Sequence, residues 1–230
     1  MARSLGVAAY LGLSRLAYLP GRALVARRLR RGKEHPQRWP ERLGIAGQPR
    51  PDGALIWFHA ASVGEAVALL DLIRRLLAER ADLHILITTV TRTSAAVMEE
   101  RLPERALHQF APVDALRAVK RFLAHWRPDA AVWTESELWP ALLHRTKLSG
   151  CPLYLVNARI SVRSAQRLRW AGRFAGSLLS RFDRILAQDA PVAARLRALG
   201  APAERIEVAG SLKEVAAPLP VDEAERADFA

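Results

Sequence analysis

Cysteine is almost absent from this chain: Cys151 stands alone among 230 residues. That excludes an intrachain disulfide framework and a multi-cysteine zinc site, and it fits a reducing compartment. The histidines are scattered. His59, His84, His108, His125 and His144 fall at no ligand spacing, so no metal site is expected. Gly-x-Gly-x-x-Gly and Walker loops are missing, as are internal repeats and low-complexity tracts. Long apolar runs are lacking near the N-terminus too. Residues 4–14 are free of charge, but a spanning helix needs about 20 apolar residues. Extending the run to Ala26 takes in Arg15, Pro20 and Arg22.

What is present is a globular composition, 50% hydrophobic and 25% charged, with a net charge of +12. The charge is concentrated. Residues 1–50 hold eleven Arg and Lys against Glu34 and Glu41 alone. Such a local excess points to an anionic surface, lipid or nucleic acid. Leu5, Val7, Leu11, Leu13, Leu16, Leu19, Leu24, Val25 and Leu29 are interleaved with the arginines. That mixture suits a basic amphipathic helix at a bilayer interface, and no nucleic acid is expected. A signal peptide fits poorly, because the basic cluster follows the apolar stretch. The cluster at 22–33 would keep its side of the helix in the cytoplasm if the helix inserts. Spanning stays open, and an amphipathic helix packed on the domain would also explain the pattern.

Residues 46–53, AGQPRPDG, form a Gly/Pro-rich break. After it, short apolar strands alternate with helical periods: strands at 54–59, 84–89, 107–110, 130–134, 153–157, 184–187 and 206–208. Helices are expected at 65–80, 93–102, 114–126, 138–148, 164–180 and 192–199. This predicts an α/β fold with a Rossmann-like parallel sheet and helices on both faces. The expected organisation is a membrane-associating segment over 1–45, an α/β domain over 54–215, and a polar linker over 216–230 towards a further domain.

In an open α/β sheet, ligands bind beyond the carboxyl ends of the strands. The first strand ends in His59-Ala60-Ala61-Ser62-Val63-Gly64-Glu65. Small residues there let a substrate approach the backbone, and Glu65 opens a helix. Ser62 and Glu65 also match a capping box, and a carboxylate at a helix N-terminus is stabilised in its charged form. The second strand ends in Thr88-Thr89-Val90-Thr91-Arg92-Thr93, hydroxyls and an arginine suited to a sugar or phosphate, or to a helix cap. The third ends in Thr134-Glu135-Ser136-Glu137-Leu138-Trp139-Pro140. Glu135 and Glu137 point in different directions, so one of them is expected to pair across the crevice with Glu65. The stretch from Asn157 to Ser164 opens a second basic zone, with seven arginines against Asp183 over 159–184. It reads as a solvated helix face or as a site for an anionic headgroup.

Taken in order, these segments resemble one family, the Kdo (3-deoxy-D-manno-octulosonic acid) transferases. The residues that carry the resemblance are Gly32-Lys33-Glu34, Glu41-Arg42-Leu43-Gly44, Ala61–Glu65, Thr88–Thr93, Glu135–Pro140, Asn157-Ala158-Arg159 with Ser161 and Arg163-Ser164, Gln188-Asp189, and Gly210 with Leu212-Lys213. Ala141 stands where the family usually has Asn, and Ser211 and Glu214-Val215 also depart from its pattern. The resemblance implies the acceptor-binding N-terminal half of a GT-B fold. It implies inverting transfer of Kdo from CMP-Kdo to the lipid A precursor, with no cofactor and no essential metal, on the cytoplasmic face of the bacterial inner membrane. It assigns catalysis to Glu65 and to Glu135 or Glu137. Acceptor binding is expected at Ser62, Gly64, Thr88, Thr89, Thr91, Arg159, Ser161 and Arg163, and a hinge role at Lys213. CMP-Kdo would bind the further domain, and these residues alone are expected to be inactive. Another GT-B enzyme using a UDP-sugar, or a non-enzymatic basic membrane-binding domain, would share the fold and the charge.

Overall fold

A computed structural model describes residues 4–135, 137–170 and 173–212. Lys213 and the expected linker over 216–230 lie outside these described residues.

Seven parallel strands form one sheet: β1 (Ala54–His59), β2 (Leu83–Thr89), β3 (Ala106–Phe110), β4 (Ala130–Thr134), β5 (Leu153–Ala158), β6 (Arg184–Ala187) and β7 (Ile206–Val208). Their order is β3-β2-β1-β4-β5-β6-β7. The chain builds outward from β1 on one side, then restarts with β4 on the other. That reversal between β1 and β4 is the topological switch point of a doubly wound sheet, where the strand ends splay into a crevice.

Each central strand is buried on both faces. In β1, Leu55 and Trp57 face one core with Phe122, Trp126 and Trp133, while Phe58 faces the other with Ile85, Ile87 and Ile73. Side chains alternate across a strand, so a run with no polar residue needs cover on both sides. On one face α3 (Val63–Glu79) and α4 (Arg92–Arg101) supply it, through Leu69, Ile73 and Met98. On the other face lie α5 (Leu116–Trp126), α6 (Pro140–Leu148), α8 (Arg173–Leu179) and α9 (Ala190–Ala198). The expected Rossmann-like architecture is therefore observed.

Element boundaries moved for identifiable reasons. The helix expected from Asp114 begins at Leu116, because the Asp114 carboxylate caps α6 instead, accepting from the amides of Ala141 at 3.0 Å and Leu142 at 2.8 Å. The helix expected from Leu138 begins at Pro140, a residue suited to a first turn that needs no N–H. The single helix expected over 164–180 is described as α7 (Val162–Trp170) and α8.

The basic N-terminal segment folds as α1 (Leu5–Leu16) and α2 (Tyr18–Arg30). No helix among the described residues is long and apolar enough to cross a membrane. Val7, Ser14 and Val25 are buried, and the Tyr10 hydroxyl donates to Asp114 at 2.8 Å, tying α1 to the start of α6. Leu13, Leu16 and Leu19 remain 68%, 76% and 69% exposed. One side of the segment packs on the domain, and another presents leucines outward.

A 3-10 turn (Trp39–Leu43) then clamps the segment to the ends of β2 and β3. Buried Arg42 donates to Glu34 at 3.0 Å, to the Ala111 carbonyl at 3.2 Å and to the Val90 carbonyl. Glu41 accepts from the Phe110 amide at 2.7 Å and from Arg38 at 2.8 Å. Both guanidinium groups lie over the Phe110 ring, 5.0 and 4.5 Å from its centre.

Candidate active site

Glu65 sits at the third position of α3, with Ser62 as the cap. The Ser62 hydroxyl accepts from the Glu65 amide at 3.3 Å and donates to Glu65 Oε1 at 2.8 Å. The other half of the box is displaced by one residue, because Oε2 accepts from the Ala61 amide at 3.0 Å. The Thr134 hydroxyl, arriving from β4, lies 2.9 Å from the same Oε2 and 3.0 Å from the His59 carbonyl. The carboxylate is therefore both a helix cap and a bridge across the switch point. It is 8% exposed. A carboxylate has roughly four acceptor positions, and Oε1 keeps one beside the Ser62 bond. That is the atom able to take a proton from an incoming hydroxyl.

Gly64 and Ser62 are exposed beside it. A Cβ added at Gly64 would meet nothing within 4 Å, so the space above this turn is not needed by the fold.

Two neighbouring strand ends carry left-handed backbone on residues other than glycine: Glu135 after β4 at φ 55° and Asn157 in β5 at φ 52°. Strain of this kind costs on the order of 1–3 kcal/mol and concentrates at functional sites. Asn157 Oδ1 accepts from Gln188 at 2.7 Å and from the Leu212 amide at 3.2 Å, joining the ends of β5, β6 and the segment after β7. The two glutamates of the third strand end separate. Glu135 directly follows Thr134. Glu137 accepts from the Trp139 indole at 3.0 Å, and that indole lies edge-on to His59 at 5.3 Å. The hydroxyl of Thr134 also crosses the crevice to Glu65.

The hydroxyls at the end of β2 turn inward. Thr88 and Thr89 have no exposed surface. Thr88 accepts from the Trp57 indole at 2.9 Å and lies 3.0 Å from His59 Nδ1. Thr89 lies 2.8 Å from His108 Nε2 and accepts from Ser94 at 2.8 Å. Thr91 caps α4 in a reciprocal box with Ser94. Thr88 and Thr89 support the crevice from beneath, because buried hydroxyls already bonded to the protein cannot reach a large ligand, whereas Thr91 is exposed at the start of α4. Arg159, Ser161 and Arg163 are exposed beyond β5, where Ser161 accepts from the Ser164 amide at 3.1 Å.

Both histidines beneath the site are neutral. Burial pushes His59 down to about 3, and burial with the charges of Arg38 and Arg42 does the same to His108. Arg38 donates to His108 Nδ1 at 2.8 Å, which leaves Nε2 to donate to Thr89. Among the described residues no group of His, Cys, Asp and Glu could hold a metal ion.

Sequence reasoning passed over Thr134, Asp114 and the Arg38–Glu41 and Arg42–Glu34 pairs. Only strand order places Thr134 beside Glu65. For the ion pairs, the signal was the charged Glu34, Glu41 and Arg42 inside the family-like N-terminal motif.

The fold and site define a doubly wound α/β unit with a capped carboxylate at its switch point. Among solved structures, a UDP-N-acetylglucosamine 2-epimerase from Rickettsia bellii shares the fold (TM-score 0.52, 14% identity, covering 71% of this chain and 46% of that one). So does an S. aureus MnaA–UDP complex (TM-score 0.52, 13% identity, 75% and 51%). Residues 37–216 match the family described as 3-deoxy-D-manno-octulosonic-acid transferase (kdotransferase), and the chain belongs to that family. It is 43% identical over 193 residues to "Probable 3-deoxy-D-manno-octulosonic acid transferase, mitochondrial" of Arabidopsis thaliana, covering 82% of this chain and 42% of that protein. A 3-deoxy-D-manno-octulosonic acid transferase of Bordetella pertussis is 39% identical (78% and 43%), and one of Haemophilus influenzae 34% (77% and 42%). The chain thus spans 42–43% of the length of these three relatives.

Proposed function

We propose that these residues form the acceptor-binding part of an inverting Kdo transferase, which moves Kdo from CMP-Kdo to the lipid A precursor. The observation that carries this reading is Glu65: a nearly buried carboxylate held by Ala61, Ser62 and Thr134 at the switch point, in a chain of the Kdo transferase family. A sugar hydroxyl of the acceptor attacks the anomeric carbon of Kdo and gives its proton to Glu65 Oε1, as the bond from that carbon to the CMP phosphate breaks. The fixed donors at Ala61 and Thr134 hold Oε2, so the other oxygen is aimed before the acceptor arrives. Gly64 leaves room for the sugar, and Arg159 and Arg163 meet its phosphates. Thr88 and Thr89 act by positioning, and exposed Thr91 meets the acceptor. The strained Glu135 and the Trp139-bound Glu137 line the β4 side. The nucleotide would bind in a further domain, for which the part-length match to relatives is the support. The exposed leucines and arginines of α1 and α2 would hold the site at the cytoplasmic face of the inner membrane.

The test is Glu65→Gln in the full-length enzyme, assayed with CMP-Kdo, with UDP-sugars as competing donors. We expect the rate to fall by about 10²–10⁴. Near-normal turnover would remove Glu65 from the mechanism, and turnover with a UDP-sugar alone would replace the donor.

A further inference from the structure

A groove of about 240 Å³ opens between α1 and the α5–α6 pair, and shares no lining residue with the crevice at Glu65. Its walls are largely apolar, with Leu11 and Gly12 on α1, Leu116 on α5 and Leu148 on α6, and His144 of α6 lies among them. Gly12 gives it width that the fold does not use, since an added Cβ would meet no atom within 4 Å. Two cations line the same groove. Arg15 stands one turn beyond Leu11, and Arg145 faces it from α6.

Arg145 Nε is buried and has no hydrogen-bond partner. Buried donors are paired in folded proteins, and a charged one left unmet is costly. No carboxylate lines the groove to meet it. Leu148, in the wall, is 54% exposed, so the apolar surface opens to the outside there. A groove with a hydrocarbon floor and two guanidinium groups fits an amphiphile with an anionic head. A second copy of this chain, at a net charge of +12, would bring like charge to the arginines. A small inorganic anion would leave the apolar walls uncovered.

We propose that this groove binds one anionic phospholipid, with an acyl chain along Leu11, Gly12, Leu116 and Leu148 and the phosphate on Arg15 and Arg145. The inference deepens the membrane reading of the N-terminal helices and rests on it. It adds a discrete, saturable site to a diffuse surface attraction.

The test is calorimetric titration of the 230-residue chain with dihexanoyl phosphatidylglycerol, against dihexanoyl phosphatidylcholine and inorganic phosphate. We expect one saturable site for the anionic lipid, with roughly tenfold weaker binding of the zwitterionic one. Gly12→Trp fills the groove from an exposed helix position, so the fold is retained. It and Arg145→Gln should each weaken binding by about tenfold or more. Leu19→Asp, outside the groove, should leave this binding intact while reducing partition onto phosphatidylglycerol vesicles. Unchanged affinity in Gly12→Trp, equal affinity for inorganic phosphate, or dimerisation that Gly12→Trp abolishes would each overturn the proposal. Vesicle binding by the wild-type chain with no titratable site would leave the membrane reading standing and remove the groove. A titratable site without vesicle binding would do the reverse.

Discussion

Glu65 caps a helix and is the proposed base, and its neighbours allow the two roles to be separated. Gly64→Ala places a methyl group in the open space above the turn and removes a helical glycine, which adds up to about 1 kcal/mol of stability. We therefore expect the melting temperature of the chain to hold or rise while transfer by the full-length enzyme falls; unchanged transfer would mean that the acceptor does not approach this backbone. Thr134→Val removes a hydroxyl from Oε2 with little change in volume. It should cost about 1 kcal/mol in denaturant titration and slow the chemical step with little change in acceptor KM. The buried histidines set the pH response. His59 and His108 are held at about 3, below the value of about 6.5 in an unfolded chain. Between those values the unfolded state binds more protons, so stability is fully present above pH 6.5 and is lost as the pH falls. Each histidine contributes a slope of up to roughly 1.4 kcal/mol per pH unit. His108→Gln should flatten the acid limb of a stability–pH curve, and an unchanged limb would show that His108 does not carry it. Spacing alone could show the Ser62–Glu65 cap. It could not show that the same carboxylate reaches Thr134, because that contact spans 69 residues.

The N-terminal helices are joined to the sheet by charge as much as by apolar packing. Arg42 is buried against Glu34, and it also donates to the carbonyls of Val90 and Ala111. Burial lowers its pKa against the pull of Glu34. Arg42→Ala leaves the Glu34 carboxylate buried with half its partners gone, and should cost about 3–5 kcal/mol in urea unfolding. Tyr10→Phe tests the other tie. It removes a hydrogen bond to the Asp114 carboxylate, which burial raises in pKa, and should cost roughly 1.5–3 kcal/mol, since the acceptor is charged. Hydrogen exchange should rise first in α1. The strands were legible because their apolar runs are short and bounded by turns. Helix starts at Asp114 and Leu138 were misplaced because a cap can come from another element, as Asp114 does for α6.

For the molecule as a whole, the sheet order decides which strand ends become one site. β1 and β4 are 70 residues apart in sequence yet adjacent in the sheet, which gathers Glu65, Thr134 and Glu135 while leaving Arg159 and Arg163 one strand farther out. The outward leucines and basic residues of α1 and α2 form the surface proposed to meet the membrane. Leu13→Asp with Leu16→Asp should abolish partition onto anionic vesicles at both low and high salt, whereas raising salt alone should weaken it only in part, because the apolar term is not screened. Composition and periodicity alone determined the alternating α/β pattern, the concentration of positive charge, the candidate carboxylates and the family-like order of motifs, since each is a property of neighbours along the chain. Tertiary structure decided which hydroxyls are buried supports, that Glu137 holds Trp139, that Thr134 crosses to Glu65, and that the basic segment is both clamped and exposed. Those outcomes depend on strand order and burial, which bring together groups whose separation in sequence carries no record of their contact.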